Sequence, residues 1–380
     1  KIILENSDGT NALVAADDPN TLFPWLQAIR AATHVNSSVS MDDFEIISVI
    51  GRGFFGKVML VQKKSDGKYY ALKTIGKAKL AQAKKTHTVT RERDIMAGSN
   101  CPFIVSLVYT FQTKAKFYFV LEYVPGGELF RLMRDEMISP EQGKLYIAEL
   151  AIALDYLHRI GVVYRDLKPE NVLIGQNGHI KLTDFGLSKD IRSEDAQTFC
   201  GTAEYVAPEV VRRQKYSFPV DWWSLGVLTY ELFIGYTPFS SENRSELFEM
   251  ILNDKPEFPA GTDPNMIDFV TRLLEKDSKK RASFNDIKNH PFWGSMDLDA
   301  VGRLEVEPVY KPRVDDVSQP TNFDDEFTAE PAMDSYAVPV APGDPAFQGF
   351  SYIGNPPSSS PEPSSSLLVP EDSPLAPSFL

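Results

Sequence analysis

The chain has 380 residues, of which 43% are apolar and 24% charged, close to the average of soluble globular proteins, and it holds no apolar run of about 18 residues that would span a bilayer. Its two cysteines, Cys101 and Cys200, are too few for a disulfide framework and lack metal-ligand spacing, so the expected compartment is the reducing cytosol or nucleus. The net charge of -13 is uneven: residues 314–380 carry eleven Asp or Glu and no Lys or Arg, which leaves -2 for residues 1–313 and argues against nucleic acid as a partner.

The chain opens at Lys1 with no charged-then-apolar leader, so a piece of a longer protein without a secretory signal is expected. KIILE at residues 1–5 predicts a short strand. DDPNTLFPWLQAIRAA at 17–32 predicts a helix opened by Asp17, Asp18 and Pro19, with Leu22, Trp25, Leu26 and Ile29 on one face. About forty residues cannot cover that face alone. Two readings stay open: a helix packed on the body, or a remnant at residues 1–40, since strand, turn and Trp-bearing helix resemble the carboxyl end of a pleckstrin-homology domain.

From 44 to 123, short β-rich runs (FEIISVIG, KVMLVQKK, YYALKTI, FYFVLEYV) surround one helical stretch, HTVTRERDIM, which predicts a mostly antiparallel lobe with one helix. From about 128 to 293 the spacing turns helical (ELFRLMRD, LYIAELAIALDYLHRI, VDWWSLGVLTYELFIG, MIDFVTRLLEKD). Twelve of the 27 prolines and the stretch NPPSSSPEPSSS fall in 314–380. Such composition cannot fold alone, so the tail is expected to be disordered or clamped on a neighbour. Two islands inside it, NFDDEF at 322–327 and FQGFSY at 347–352, look like docking segments.

GRGFFGKV places glycines at Gly51, Gly53 and Gly56, a pattern that by itself suits many turns. Here it joins strand to strand, which excludes a dinucleotide-binding turn and favours a hairpin folded over phosphates. Lys73, at the end of YALK, lies downstream with a candidate partner in Glu92. YRDLKPEN at 164–171 and DFG at 184–186 follow. These residues, in this order over 44–293, resemble the eukaryotic protein kinase family.

The resemblance implies an α+β, bilobal kinase fold, with a small lobe at 44–121, a large lobe at 125–293 and a regulatory tail at 294–380. It implies ATP and Mg²⁺ as cofactors, with Asp184 and Asn171 as metal ligands, Asp166 orienting the acceptor hydroxyl, Lys168 reaching the γ-phosphate, and Lys73 with Glu92 on the α- and β-phosphates. Val58, Ala71 and Leu173 would sandwich adenine, the backbone of Glu122 and Val124 would bond its edge, and Phe323 would approach it. Met96, Leu107, Tyr164 and Phe185 would stack into a spine, and Glu209 would pair with Arg281. Lys168 resembles serine/threonine kinases.

TFCGTAEY at 198–205 resembles the group that includes protein kinases A, B and C, and the tail motifs look most like protein kinase B and its serum/glucocorticoid-regulated and ribosomal-protein kinase relatives. The likeness implies phosphorylation at Thr198 near Arg165 and Lys189, at Ser335 and at Ser351, with Phe347 and Phe350 in a small-lobe groove. A histidine that reaches the loop phosphate in relatives stands four residues before the helix Glu, whereas His87 stands five before Glu92. Glu128, Glu170 and Glu231 would read arginines in the substrate, beside Thr202. A phosphoinositide-dependent kinase at Thr198 and a target-of-rapamycin kinase at the tail sites are the expected upstream partners. Membrane lipid would be met only through a domain upstream of Lys1, giving transient plasma-membrane visits by a longer protein. The rival reading, a catalytically weak kinase-fold scaffold or lipid-targeted adaptor, would require the loss of Lys73, Asp166, Asn171 or Asp184, and none is lost.

Overall fold

The computed structural model describes residues 2–5, 11–14, 39–53, 56–83, 86–191, 196, 200–340 and 350–354. The expected Trp25 helix, Thr198, Phe347 and the Pro/Ser-rich end lie outside these residues, as does the side chain of His87. Ile2–Glu5 (β1) pairs antiparallel with Asn11–Val14 (β2).

The small lobe is built on Phe44–Gly53 (β3), Gly56–Lys63 (β4), Tyr69–Gly76 (β5), Leu107–Gln112 (β6) and Lys116–Glu122 (β7), with Tyr352–Ile353 (β12) added at the edge from the tail. Their order is β12-β6-β7-β5-β4-β3, antiparallel throughout. Alternation sends residues to opposite faces of this sheet. Phe44, Tyr70, Phe111 and Tyr118 form an aromatic layer on one face, where Met41 and tail residue Phe327 pack, while Leu60, Ala71 and Phe119 join the main core on the other.

Two helices, not the one expected, follow β5: Lys77–Gln82 (α1) and Thr86–Gly98 (α2). The first is a single turn and a half, too short for a periodic signal to stand out.

The large lobe contains Leu129–Asp135 (α3), Pro140–Arg159 (α4), Val162–Val163 (β8), Val172–Ile174 (β9), Ile180–Leu182 (β10), Lys189–Asp190 (β11), Pro208–Val211 (α5), Pro219–Ile234 (α6), Arg244–Asn253 (α7), Pro264–Leu273 (α8) and Phe284–Ile287 (α9). The start of α4 follows from its cap: Ser139 accepts from the Gln142 N–H and Pro140 occupies the first turn, where its missing N–H costs nothing. Helix α6 is buried on most of its surface, which explains its largely apolar sequence. It ends at Gly235 with φ 94°, the left-handed conformation glycine adopts without strain. Glu209 of α5 and Arg281 form the expected buried pair, bidentate at 2.7 and 2.9 Å.

The described part of the tail lies clamped on the body. Leu298–Gly302 (α10) buries Leu298 and Val301, and Asp325–Thr328 (α11) packs beside β3.

Candidate active site

The β3–β4 hairpin closes with Gly53 opposite Gly56, as the strand-to-strand reading requires. A Cβ at Gly56 would stand 1.7 Å from the Thr74 carbonyl oxygen, so only glycine lets β4 pass this close to β5. Register sets Val58 opposite Lys73 and Leu60 opposite Ala71. Val58 and Leu173 are half-buried and Ala71 is buried.

Lys73 Nζ lies 2.7 Å from Glu92 Oε1 and 2.9 Å from Asp184 Oδ1, joining β5, α2 and the DFG segment. Glu92 is buried on the α2 face that also buries Val89 and Met96, the i, i+3, i+7 geometry of a helix turned inward. Burial opposes a charge on Lys73, but Asp184 and Glu92 outweigh it and raise its pKa. Lys73 holds the Asp184 carboxyl below the usual carboxylate range against the effect of burial. Burial pushes the Glu92 carboxyl up, with Lys73 opposing.

On the large-lobe side, Arg165 (φ 73°) and Asp184 (φ 57°) occupy left-handed backbone that non-glycine residues adopt at a cost. Packing enforces it. The fully buried carboxylate of Asp221, on α6, accepts the Tyr164 and Arg165 N–H groups at 2.8 Å each and meets His158 Nε2 at 2.8 Å. Sequence reasoning missed Asp221, whose only signal was a charged residue inside the apolar run VDWW. Tyr164 donates its hydroxyl to the Thr183 carbonyl and sets its ring edge-on to Phe185 at 5.3 Å. Met96 and Leu107 are buried in the same core.

Asn171 Nδ2 donates to both the backbone oxygen and Oδ2 of Asp166 at 2.8 Å, which orients the amide and leaves its oxygen as the outward atom. Burial raises the Asp166 pKa while Lys168, 3.7 Å away, and Asn171 draw it back. Among the described residues no three His, Cys, Asp or Glu converge on one metal position.

A protein kinase domain model matches residues 44–293 and a protein kinase C terminal domain model matches 321–352. The chain belongs to the protein kinase family.

The kinase is 45% identical over 308 residues to the serine/threonine protein kinase ypkA of Aspergillus fumigatus, covering 79% of this chain and 48% of that protein. It is 42% identical over 328 residues to protein kinase 2 of Dictyostelium discoideum (84% and 68%) and 41% identical over 343 residues to human ribosomal protein S6 kinase alpha-1 (86% and 46%). The chain spans about half the length of most of these relatives. Kinase and C-terminal models in one chain fit the expected group that includes protein kinases A, B and C, and ATP with a divalent metal is the general requirement of the family.

The three expected substrate acids come together, with additions. Burial pushes Glu128 up to about 7, aided by Glu170 and Asp324. Burial also raises Glu231, which accepts the Tyr205 hydroxyl and feels Glu170 and Glu204. Glu204 and Asp324 went unnoticed in the sequence because only folding brings the tail near Glu128 and residues 200–205 near Glu231. Thr202 shares a narrow cleft with Asp166.

At the nucleotide side, Val124 is buried in the main core. The Glu122 N–H donates to the Ser106 carbonyl at 3.0 Å, which ties the end of β7 to the segment just before β6. The Glu122 side chain in turn accepts from Ser106 N and pairs with Lys181, both at 2.8 Å. Phe323 stacks on Tyr123 with centroids 5.9 Å apart, and its carbonyl accepts from Arg131.

Phe350 is 1% exposed, its ring 4.4 Å from Phe117 and 5.3 Å from Phe119, and its carbonyl accepts from Thr110. Ser351, next to it, is exposed. Ser335 is exposed too, while Lys116 holds its carbonyl and the Asp334 carboxylate. The Arg165 guanidinium donates to the Leu187 carbonyl and the Tyr216 hydroxyl.

Proposed function

We propose that this kinase transfers the γ-phosphoryl group of ATP, bound with Mg²⁺, to serine or threonine hydroxyls of proteins that carry arginines before the acceptor. The observation that supports this best is the single connected array of Glu92, Lys73 and Asp184 beside the Asp166–Asn171 pair. Bound Mg·ATP supplies the phosphoryl group and the divalent charge that offsets its oxygens. Protonated Lys73 holds the α- and β-phosphates, with Glu92 fixing its position. Asp184 and the outward oxygen of Asn171 hold the metal. Asp166 accepts a hydrogen bond from the acceptor hydroxyl and aims it, and Lys168 meets the charge that develops on the transferred group. Val58, Ala71 and Leu173 take the adenine, and Glu128, Glu170 and Glu231 take guanidinium groups.

Phosphorylation of Thr198 by a phosphoinositide-dependent kinase, and of Ser335 and Ser351 by a target-of-rapamycin kinase, would order the activation segment and the tail, in the cytosol or nucleus of the source cell. A peptide panel with arginine at varied positions before serine, threonine or tyrosine tests the reading. Transfer to serine and threonine peptides with upstream arginine is expected, and preference for tyrosine or for acidic peptides would overturn it.

A further inference from the structure

The glycine hairpin carries two cations of its own, Arg52 between Gly51 and Gly53 and Lys57 directly after Gly56, one on each strand. Both meet one tail residue. Glu330 lies 2.9 Å from Arg52 Nη2 through Oε1 and 2.6 Å from Lys57 Nζ through Oε2. The Lys57 and Glu330 side chains are 13% and 19% exposed, so this junction is shielded more than a surface pair, while Arg52 at 57% forms its outer arm. The same tail stretch is tied down on both sides. Phe323 stacks on Tyr123 beside the chain that joins the lobes, α11 packs on β3, and the Glu330 N–H donates to the Phe327 carbonyl.

On the strength of this geometry we propose that Glu330 is a positioning residue for nucleotide binding, a carboxylate bridge that holds both strands of the glycine hairpin at a set height over the phosphates. The inference rests on the kinase reading of the site. Glu330 touches neither nucleotide nor substrate. Its effect passes through Arg52 and Lys57 to the backbone of β3 and β4, and Lys57 is further fixed by reciprocal bonds with Thr74, whose hydroxyl accepts the Lys57 N–H at 3.1 Å and donates to its carbonyl at 3.2 Å. Without the bridge the hairpin samples raised positions, and ATP must bind from the fraction that is closed.

The test measures ATP and ADP binding directly, by displacement of a fluorescent nucleotide, together with KM for ATP and kcat. Glu330→Gln should weaken nucleotide binding and raise KM about three- to tenfold, with kcat at saturating ATP within about twofold of the wild type and unchanged thermal unfolding. Glu330→Lys should be worse, and pairing it with Lys57→Glu should recover most of the loss. The gap between wild type and Glu330→Gln should also narrow as salt rises from roughly 0.05 to 0.5 M, because added ions screen the bridge. Nucleotide binding by Glu330→Gln equal to wild type, or a charge swap that recovers nothing, overturns the proposal. A wild type that binds nucleotide yet transfers no phosphate overturns the kinase reading while leaving the bridge measurable by binding.

Discussion

Residue by residue, the site divides into groups that act by charge and groups that hold backbone. If Lys73 and Asp184 hold phosphate and metal as proposed, Lys73→Met and Asp184→Asn should each lower turnover by at least about a hundredfold with the fold retained, read by peptide phosphorylation beside circular dichroism. Turnover at the wild-type level in either variant would break the assignment. Glu128 titrates where a cell can notice. Its carboxyl, pushed up to about 7, is ionised above that pH and neutral below it, and only the ionised form attracts guanidinium. KM for an arginine-containing peptide should therefore rise as pH falls from about 8 to 6, and Glu128→Gln should flatten that rise. Asp221 acts through backbone. Asp221→Ala leaves two N–H groups without their acceptor, and kcat should drop although Asp221 is separated from the cleft by the segment it anchors.

At the level of elements, two junctions carry more than their neighbours. Arg281 ties α5 to the segment before α9 through Glu209, with both side chains almost wholly buried. Arg281→Ala strands a buried carboxylate and should destabilise the large lobe by about 3 to 5 kcal/mol in denaturant unfolding. The second junction is Phe350 between β6, β7 and α2, where Arg93 stands over its ring at 5.7 Å. Burying a Phe contributes roughly 1.5 to 3 kcal/mol, and ordering each tail residue costs about 1 to 2 kcal/mol. One buried ring alone does not offset that ordering cost, and a phosphate on Ser351 would add charge-assisted bonds that favour docking. In protein phosphorylated at Thr198, the gain from Ser351 phosphate should vanish in Phe350→Ala. Equal gains in variant and wild type would mean that docking is not the route.

Across the whole molecule, residues 322–340 and 350–354 turn a two-lobed body into a wrapped one. They stack on Tyr123, bridge the glycine hairpin, pin Lys116 and add a strand to the sheet. The islands NFDDEF and FQGFSY announced contact, and the resemblance implied their general destinations, but the partners of Glu330 and Asp334 could not be read along the chain. Motif order was legible because phosphate and metal chemistry demands particular residue types at fixed spacing on short loops, which is why Lys73, Asp166, Asn171 and Asp184 stood out as candidates, and the fold gathers them into two contacting sets. The lobes were legible through their alternation and helical periods. Pairings across long separations were not: Asp221 with Tyr164, Glu330 with Arg52 and Lys57, and Asp324 with Glu128 join charges whose sequence neighbours say nothing about them. By itself the sequence determined the chemistry and the order of elements, because both depend on local spacing. Which charges meet, and which carboxyl is lifted to about 7, only the tertiary structure decided, because Coulomb interaction and burial depend on distance in space and not along the chain.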